Sequence, residues 1–368
     1  MSATAFPIRP LSLSAENFRG LGGEHSLDLG RALLVGKDGA GKSSLLVAVE
    51  SCLSGAQATK KTGSGIAERG DWALAHEGAT GDVRVTLELE VEGGRARLTR
   101  RRALGARARD EDDVQLELPG DEVLSGHEVE EWLSWNHMPD WSTWKRSFCQ
   151  HQEQSRARVT ESADRSTAIA GMLGLEEFRV VNDELKQLKV KRLEKRATDV
   201  EALGALARGL EDEQSEEQIA AVNESIDTYF STITGDSGRG RVRVQSKKTA
   251  TKVAYQLVDP QGRSITSRLN QAAFTALSLA TLFASADSRA RRGRPQFLVL
   301  DDPDQSLDED HQAGLARAIT KCASFAPVLV GTVPGALADA LRESAAETSR
   351  TYLHARTGDG ASTIIRKA

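Results

Sequence analysis

Hydrophobic and polar residues alternate at the start of the chain and then give way to an unbroken apolar run. The alternation in "LSLSAENF" (11–18) and "HSLDLG" (25–30) predicts two half-buried strands, and the run "ALLV" (32–35) predicts a buried one. A glycine-rich loop follows, and from Ser43 the sequence "SSLLVAVESCL" has the spacing of a helix that ends at Gly55. The chain therefore begins as strands that lead through a loop into a helix.

Two patterns mark the middle of the chain. Strict alternation over 83–100 around Gly93-Gly94 predicts a β-hairpin, and the polar segment 101–113 predicts a surface loop with an adjoining strand. Further on, charge-rich helical patterns over 176–202 and about 216–233, with Gly204 and Gly209 between them, predict two helices that run antiparallel. This helical hairpin is too short for a sustained supercoil, unless a longer coiled coil has been cut from between about 197 and 216.

The last third returns to alternating strands and helices. Strands are expected at "GRVRVQ" (240–245), "KVAYQLVD" (252–259), "FLVL" (297–300) and "PVLVG" (327–331), with helices from about Asn270 and after Asp308, another helix, and a final strand pair. Strands on both sides of the hairpin indicate one α/β sheet interrupted by an insertion. We therefore predict an N-terminal lobe (1–175), a helical hairpin (176–233) and a C-terminal lobe (234–368).

Composition is that of an ordinary globular protein, with 368 residues, 39% hydrophobic and 27% charged. The net charge of -5 gives no overall attraction for nucleic acid, so such binding would need local basic patches. No apolar run approaches the ~20 residues of a membrane span, and the scattered Cys52, Cys149 and Cys322 suit reduced core thiols. We expect a soluble cytoplasmic protein, without membrane contact.

A group of tryptophans follows the hairpin. Trp132, Trp135, Trp141 and Trp144 form two pairs at helical spacing around a Pro-Asp turn. Aromatic side chains can stack on single-stranded bases. Packing between elements is the favoured interpretation of this spacing.

The loop "GKDGAGKSS" (36–44) carries the first clear chemistry, because it matches GxxxxGK[ST] between a buried strand and a helix. Its glycines let backbone N–H groups wrap a phosphate, and the helix N-terminus adds partial positive charge. Lys42 would reach the β- and γ-phosphates of ATP, and Ser43 would offer its hydroxyl to Mg²⁺. The predicted nucleotide-binding residues are Gly36, Lys37, Asp38, Gly39, Ala40, Gly41, Lys42, Ser43 and Ser44.

Two adjacent carboxylates, Asp301 and Asp302, end the predicted strand "FLVL". Acids after a buried strand are often simply solvated. A nucleotide hydrolase, however, needs one carboxylate at a strand tip for the Mg²⁺ shell and a neighbour that orients or deprotonates the attacking water. We predict Asp301 as a metal ligand and Asp302 as a catalytic residue.

Three segments together resemble the SMC-like ABC ATPases, a family that includes the bacterial SbcC, RecF and RecN groups. Residues 11–55 are similar to the first lobe of their heads, 147–178 to the glutamine loop that leads into the coiled coil, and "LDDPDQSLDEDH" (300–311) to the Walker B and D-loop. The resemblance implies an α/β fold, an ABC-type P-loop NTPase head of two lobes with mixed sheets, interrupted by the helical hairpin.

The same resemblance implies roles for further residues. Asn17 and Arg19 would lie near the nucleotide, and Gln150 would sense Mg²⁺ and serve catalysis, with Gln152 as the runner-up. The stretch 267–284 stands where the family has its signature. Its residues Asn270, Gln271 and Ala272 would cap the γ-phosphate bound by a second head, so that ATP joins two heads in a homodimer.

The chain also departs from the family pattern. Asn270 and Ala272 replace the signature serine and glycine, Asp38 stands where many relatives have asparagine, and Asp302 replaces the usual catalytic glutamate. Thr332-Val333 stands at the place of a histidine switch. Nucleotide binding is therefore expected, whereas turnover is expected to be slow.

A basic stretch, "RARLTRRRALGARAR" (95–109), is the first candidate for DNA contact. Its candidate phosphate ligands are Arg97, Arg100, Arg101 and Arg102, although a solvated loop paired with "DEDD" (110–113) is the open alternative. "SRARRGRP" (288–295) is a weaker candidate. The resemblance implies a nucleoid-associated ATPase that binds DNA in repair, recombination or anti-phage defence, with a possible nuclease subunit. The alternative is an ATP-operated switch that gates a nuclease or toxin partner without binding DNA.

Overall fold

Two six-stranded sheets carry most of the fold. The computed structural model describes residues 8–29, 31–55, 75, 78–104, 112–136, 138, 144, 148–150, 219–235, 242–248, 253–265, 269–295, 297–344, 350–356 and 362–367. The strands are β1 (Arg9–Phe18), β2 (Leu21–Asp28), β3 (Arg31–Gly36), β4 (Val83–Val91), β5 (Gly94–Arg102), β6 (Asp113–Glu117), β7 (Val123–Ser125), β8 (Cys149–Gln150), β9 (Arg243–Lys248), β10 (Val253–Val258), β11 (Leu298–Asp301), β12 (Val328–Thr332), β13 (Arg350–Arg356) and β14 (Ser362–Lys367). The helices are α1 (Lys42–Ser54), α2 (His127–Trp135), α3 (219–234), α4 (Gln271–Arg291), α5 (Glu309–Ala323) and α6 (Ala336–Ser344).

The first sheet is antiparallel, in the order β2-β1-β4-β5-β6-β7. Its β4–β5 hairpin confirms the prediction from strict alternation. The pair closes at Val91 and Gly94, and Gly93 has a φ of 88°, a conformation that favours glycine. Burial alternates along β4, so one face of the sheet packs on a core and the other meets solvent.

The second sheet is mixed, in the order β14-β13-β3-β12-β11-β8. Strands β13, β3, β12, β11 and β8 run parallel, and β14 pairs antiparallel with β13. Strands β3 and β8 come from the N-terminal part of the chain and the other four from the C-terminal part. The prediction that an α/β sheet draws its strands from both sides of an insertion is confirmed for this sheet, but it is not the single sheet of the fold, because β1 and β2 belong to the first sheet and β9 pairs only with β10. The boundaries 1–175, 176–233 and 234–368 stay predictions.

Both faces of the central strands β3, β12 and β11 are buried. On β3, Leu33 and Val35 join one hydrophobic core, while Ala32 and Leu34 join the other. Strands β11 and β12 divide their side chains between the same two cores. Burial on both faces explains why these strands read as continuous apolar runs and not as alternating ones.

Helix α1 lies between the two sheets. It contacts β1, β4 and β5 on one side and β3, β11 and β12 on the other. Almost its whole surface is therefore buried, including Glu50 and Cys52. The helix ends at Gly55, as predicted, and its first residues lie at the carboxyl ends of the parallel strands.

Helices α3 to α6 pack in the core that contains Leu33 and Val35 of β3. Helix α3 forms part of the second predicted hairpin helix, and the first, over 176–202, lies outside the described residues. Gly314 of α5 lies against the carbonyl oxygens of Thr232 and Ile233, so close that a Cβ atom there would come within 2.3 Å of the Ile233 oxygen. The end of α3 is thereby fixed on the body of the molecule.

The tryptophans divide between core and surface. Trp144 is buried and stacks on Phe148 with ring centroids 4.5 Å apart, and Trp132 packs against the core. Trp135 is 83% exposed, so packing is the wrong interpretation for this residue, while Trp141 lies outside the described part.

All three cysteines are buried, and burial raises the pKa of Cys52 to about 12. Within the described residues, no helix has the length and apolar character of a membrane span.

Candidate active site

The loop between β3 and α1 has the shape that phosphate binding requires. Gly39 and Gly41 have φ values of 75° and 94°, and Gly41 is the residue before the first turn of α1. Only glycine adopts this backbone readily, so the positions of these residues in the motif have a direct structural cause. The N–H groups of this loop and of the start of α1 are where an anion would bind.

Lys42 is folded back into its own loop. Its Nζ donates to the carbonyl oxygen of Gly36 at 2.9 Å and to that of Lys37 at 3.4 Å. The same ammonium group is 3.9 Å from Asp302 Oδ1, and the side chain is only 4% exposed. The ammonium group is thus held inside the loop by carbonyl oxygens, which phosphate oxygens could replace.

Ser43 and Asp301 meet although 258 positions separate them in the sequence. Ser43 Oγ donates to Asp301 Oδ1 at 3.0 Å. A hydroxyl and a carboxylate that converge at a strand tip are the hard oxygen donors that Mg²⁺ prefers. The residues present therefore fit the metal that the motif implies.

Gln150 lies next to this pair, because it pairs with Leu300 on the adjacent parallel strand. It is buried, and its Oε1 accepts a hydrogen bond of 3.3 Å from Ser278 of α4. It lines a small cavity of about 20 Å³ together with Asp301 and Asp302. The structure thus brings Gln150 to the predicted metal site, while Gln152 lies outside the described residues.

Asp302 has an unusual backbone, with a φ of 43°. Its N–H donates to the carbonyl oxygen of Gly331 at 2.8 Å, which fixes this conformation. Left-handed backbone at a non-glycine residue costs about 1–3 kcal/mol and often occurs at functional sites. The turn directs the peptide chain so that Asp302 lines the cleft beside Lys42.

A further acid, Asp304, belongs to the same site and was missed by sequence reasoning. It lines the cleft, and its Oδ1 accepts a hydrogen bond of 3.1 Å from Thr332 Oγ1 at the end of β12. Burial raises the pKa of Asp304, although the bond from Thr332 and the charge of Lys42 act in the opposite direction. The position of this acid two residues after Asp302 was the only signal in the sequence.

These groups surround one open cleft of about 600 Å³. A volume of this order suits a nucleotide-sized ligand. The residues that line it are Gly20, Asp38, Gly39, Ala40, Gly41, Lys42, Ser43, Ser44, Asp302, Asp304, Gln305 and Val333. Of the predicted loop residues, Gly36 and Lys37 contribute through the carbonyl oxygens that hold Lys42.

Arg19 lies near Glu50 and Asp301, while its predicted place beside the nucleotide stays a prediction. Burial lowers the pKa of its guanidinium, while the negative charges of Glu50 and Asp301 raise it. The partnership with Glu50 was not visible in the sequence, because α1 must first be packed under the turn between β1 and β2.

Asn17 is part of the turn between β1 and β2, and its predicted place near the nucleotide stays a prediction. Its side-chain amide donates to the carbonyl oxygen of Asp82 at 3.2 Å, and its Oδ1 accepts from the N–H of Gly23 at 3.4 Å. These bonds hold the turn between β1 and β2, and it is Gly20 of that turn that lines the cleft. Ser44 Oγ accepts from the Gly20 N–H at 3.4 Å, so Ser44 also ties the turn to α1.

The predicted signature residues begin α4. Asn270 caps the helix, since its side-chain oxygen accepts from the N–H of Ala273 at 2.9 Å. Asn270 and Gln271 are exposed, as a contact with a second head would require, and Ala272 is half-buried. Gln271 also lines the small cavity beside Asp301 and Asp302 of its own head, a proximity that the sequence did not predict.

The four candidate DNA-binding arginines divide between the two faces of β5. Arg97 and Arg101 are about half exposed and pair with Glu88 and Asp82 at 2.7 and 2.6 Å. Glu88 and Asp82 lie outside the acidic run 110–113, with which the basic stretch was expected to pair in the alternative to DNA binding.

Arg100 and Arg102 are buried, so the prediction that they contact DNA is wrong. Arg100 donates to the carbonyl oxygen of Cys52 at 2.6 Å and to Glu130 at 2.7 Å, and Arg102 pairs with Asp112 at 3.1 Å. Strand period places every second residue of β5 on the inner face, and Arg100 and Arg102 follow Ala96 and Leu98 in that register.

A phosphate loop after β3, an acid pair at the tip of β11 in the same sheet, and central strands buried on both faces are the features of a P-loop NTPase fold of the ABC type. The family model described as "AAA domain" matches residues 12–234, which is more than half of the chain. The chain belongs to this AAA domain family. A search of curated proteins found no match.

Comparison with solved structures identifies the fold as that of SMC heads. An SMC head bound to the C-terminal winged-helix domain of ScpA has a TM-score of 0.65 at 14% identity, and the match covers 98% of each chain. The SMC head of Pyrococcus furiosus with an extended coiled coil, bound to the C-terminal domain of ScpA, has a TM-score of 0.61 at 15% identity, covering 98% of this chain and 96% of that one. The SMC head of Thermotoga maritima has a TM-score of 0.53 at 16% identity, covering 98% and 99%.

Proposed function

We propose that this protein binds ATP with Mg²⁺ and hydrolyses it in the cleft between the phosphate loop and the D-loop. The observation that carries the proposal is the hydrogen bond of 3.0 Å between Ser43 and Asp301. It joins the two parts of the sequence that a P-loop hydrolase needs at one metal ion.

The residues divide the work as follows. Ser43, Asp301 and Gln150 would hold Mg²⁺, which supplies positive charge against the phosphates. Lys42 would leave the carbonyl oxygens of Gly36 and Lys37 and bind phosphate oxygens. Asp302 would orient the attacking water and accept its proton.

Turnover is expected to be slow for two structural reasons. Asp302 has one methylene fewer than the usual glutamate, so the water must sit closer, and its carboxylate is 3.9 Å from the Lys42 ammonium group, which competes with the water for it. The site is therefore better suited to a long-lived ATP state than to rapid cycling.

The long-lived state would be a pair of heads. Asn270 and Gln271 are exposed at the N-terminus of α4, where the helix dipole favours an anion. We propose that this end of α4 closes on ATP bound by a second copy, which makes ATP the link within a homodimer. Hydrolysis would then separate the heads.

For the ligand of the paired heads we propose DNA, in repair, recombination or anti-phage defence. The support is the exposed face of β5, where Arg97 and Arg101 could exchange surface carboxylates for phosphates, because such exposed pairs contribute only about 0–1 kcal/mol. A nuclease subunit and association with the nucleoid belong to the same proposal.

A second candidate, a switch that acts on a protein partner, is favoured by a different observation. Trp135 is 83% exposed at the end of α2, and exposed tryptophan is common at the centre of protein interfaces. Two of the similar structures are SMC heads bound to a domain of ScpA. A protein partner on this chain would explain an exposed indole that no described element covers.

The test of the main proposal is the mass of the particle in solution. With Mg²⁺ and a non-hydrolysable ATP analogue we expect the mass to double, and with ADP we expect a monomer. Lys42→Ala should remain a monomer in both, because the phosphates lose their cation. A wild-type protein that binds no nucleotide would overturn the ATPase proposal, and one that binds but stays monomeric would overturn head pairing alone.

A further inference from the structure

Asp304 stands apart from the other acids of the cleft. It is not at the strand tip where Mg²⁺ would be held, yet it lines the same cleft as Lys42. Its side chain is fixed, since Oδ1 accepts the hydroxyl of Thr332, a residue with no solvent exposure. A carboxyl group held at this place needs an explanation that the hydrolysis steps above do not provide.

The cleft has more acidic than basic side chains along its lining. Asp38, Asp302 and Asp304 line it together with the buried cation Lys42. The β- and γ-phosphates would bind at Lys42, and each phosphate adds negative charge beside these acids. ADP lacks the terminal phosphate, so the penalty from a nearby carboxylate falls mainly on ATP.

We propose that Asp304, anchored by Thr332, sets the preference of the cleft for ATP over ADP. The inference rests on the proposed function and makes it more specific. In its ionised form Asp304 repels the terminal phosphate of ATP. In its neutral form it can donate its own O–H to a phosphate oxygen, so protonation of this one group strengthens the binding of ATP.

The surroundings of Asp304 give the sign of the pH dependence. Burial raises its pKa, whereas its own backbone N–H, Thr332 and the charge of Lys42 lower it, and burial is the largest effect. The charged groups that share the cleft are Lys42 on α1, Asp38 in the phosphate loop and Asp302 on the same turn, while β12 contributes the uncharged Thr332 and Val333. Below the pKa the carboxyl is neutral, so the preference for ATP should fall as the pH rises through it.

The Thr332 hydroxyl, which donates a hydrogen bond to Asp304, should influence the pKa of that acid. A hydrogen bond donated to a carboxylate stabilises its ionised form and lowers its pKa. Removal of that hydroxyl should raise the pKa of Asp304 further and move the change in ATP preference to higher pH. A residue that served only to hold the fold would show no such shift.

The experiment is calorimetric titration of the full chain with Mg²⁺ and either ADP or a non-hydrolysable ATP analogue, from acid to neutral pH. The ratio of the two dissociation constants is compared between the wild type and Asp304→Asn at each pH, which cancels the titration of the nucleotide itself. We expect the ratio to favour ATP by about tenfold more in the variant at neutral pH, the effect of one nearby charge, and to lose its pH dependence. Asp310→Asn is the matched control, because it removes an exposed carboxylate outside the cleft.

The outcomes separate the two proposals. A ratio in Asp304→Asn equal to that of the wild type at every pH would overturn the role of Asp304 while leaving ATP binding intact. Wild-type protein that binds neither nucleotide would overturn the proposed function itself. Should Asp304→Asn fail to fold, Thr332→Val decides: a shift of the pH midpoint upward supports the inference, and an unshifted midpoint rejects it.

Discussion

Asp302 shows at the scale of one residue how local geometry and chemistry meet. Its φ of 43° is held by the bond to Gly331, and the side chain reaches the cleft beside Lys42. Asp121 has a similar φ of 65° but lies exposed in the turn between β6 and β7. The two residues share a backbone conformation and differ in surroundings, so they form a matched pair for substitution.

We expect Asp302→Asn to lower the rate of ATP hydrolysis by about 100-fold or more, because an amide cannot accept the proton of the attacking water. ATP affinity should not fall, since a negative charge beside the phosphates is removed. Phosphate release under saturating ATP measures the first effect and titration with the ATP analogue the second.

Asp121→Asn should leave both quantities unchanged, since both residues tolerate left-handed backbone equally well. If Asp302→Asn turns over ATP at more than half the wild-type rate, Asp302 is not the base and another acid of the cleft serves that role.

The residues of the site could be predicted only where a motif fixes them. The phosphate loop and the acid pair have set spacings, and the structure places Lys42, Ser43, Asp301 and Asp302 around one cleft. The role of Asn17 in a turn depends on contacts between distant segments, which a motif does not record. Thr332 is similar, because it meets Asp304 only after two parallel strands align.

Glycine controls how closely elements approach each other. The carbonyl oxygens at the end of α3 come so near α5 that a Cβ on Gly314 would lie 2.3 Å from the Ile233 oxygen and 2.6 Å from that of Thr232. Backbone atoms cannot move aside as a flexible side chain can. The contact therefore depends on the absence of a side chain at position 314.

We expect Gly314→Ala to lower the free energy of unfolding by about 3 kcal/mol or more, because α3 and α5 must separate to admit the methyl group. Gly335→Ala is the control, since no atom lies within 4 Å of the added Cβ and its φ is not left-handed. It should change the free energy of unfolding by no more than about 0.5 kcal/mol. Urea denaturation of both variants measures the difference, and equal midpoints would show that the two helices do not meet as described.

Elements were predictable in proportion to their length and periodicity. The β4–β5 hairpin and α1 follow from their patterns, whereas β8 has two residues and no pattern to detect. The burial of Arg100 could have been found by extending the two-residue period of β5, because the register that buries Leu98 also buries Arg100. Its hydrogen bond to the carbonyl oxygen of Cys52 in α1 could not have been predicted, because that contact joins a strand to a helix of another layer.

At the scale of the whole molecule, DNA binding is the proposal most open to a direct test. With the ATP analogue, we expect the wild type to bind duplex DNA with an affinity that falls as salt rises. Combined Arg97→Ala and Arg101→Ala should reduce the slope of that dependence by up to about 2, since each lost phosphate contact removes about 1.

The matched control for that pair is Arg263→Ala with Arg342→Ala, which removes two arginines that also sit in exposed ion pairs, on other elements. Its slope should equal that of the wild type. If the wild type does not bind DNA at low salt in either nucleotide state, a protein partner becomes the better explanation of the head fold.

The mixed sheet has one more consequence, for the order of events during synthesis. Its phosphate loop leaves the ribosome early, but the acids that complete the metal site follow some 260 positions later on β11, and β12 comes later still. Under the proposed function, a nascent chain that stops before Asp301 would lack this carboxylate of the metal site, and so would any fragment released by proteolysis between the two segments. If the proposed function holds, the complete Mg²⁺–nucleotide site would form only after both halves have been synthesised and have packed together.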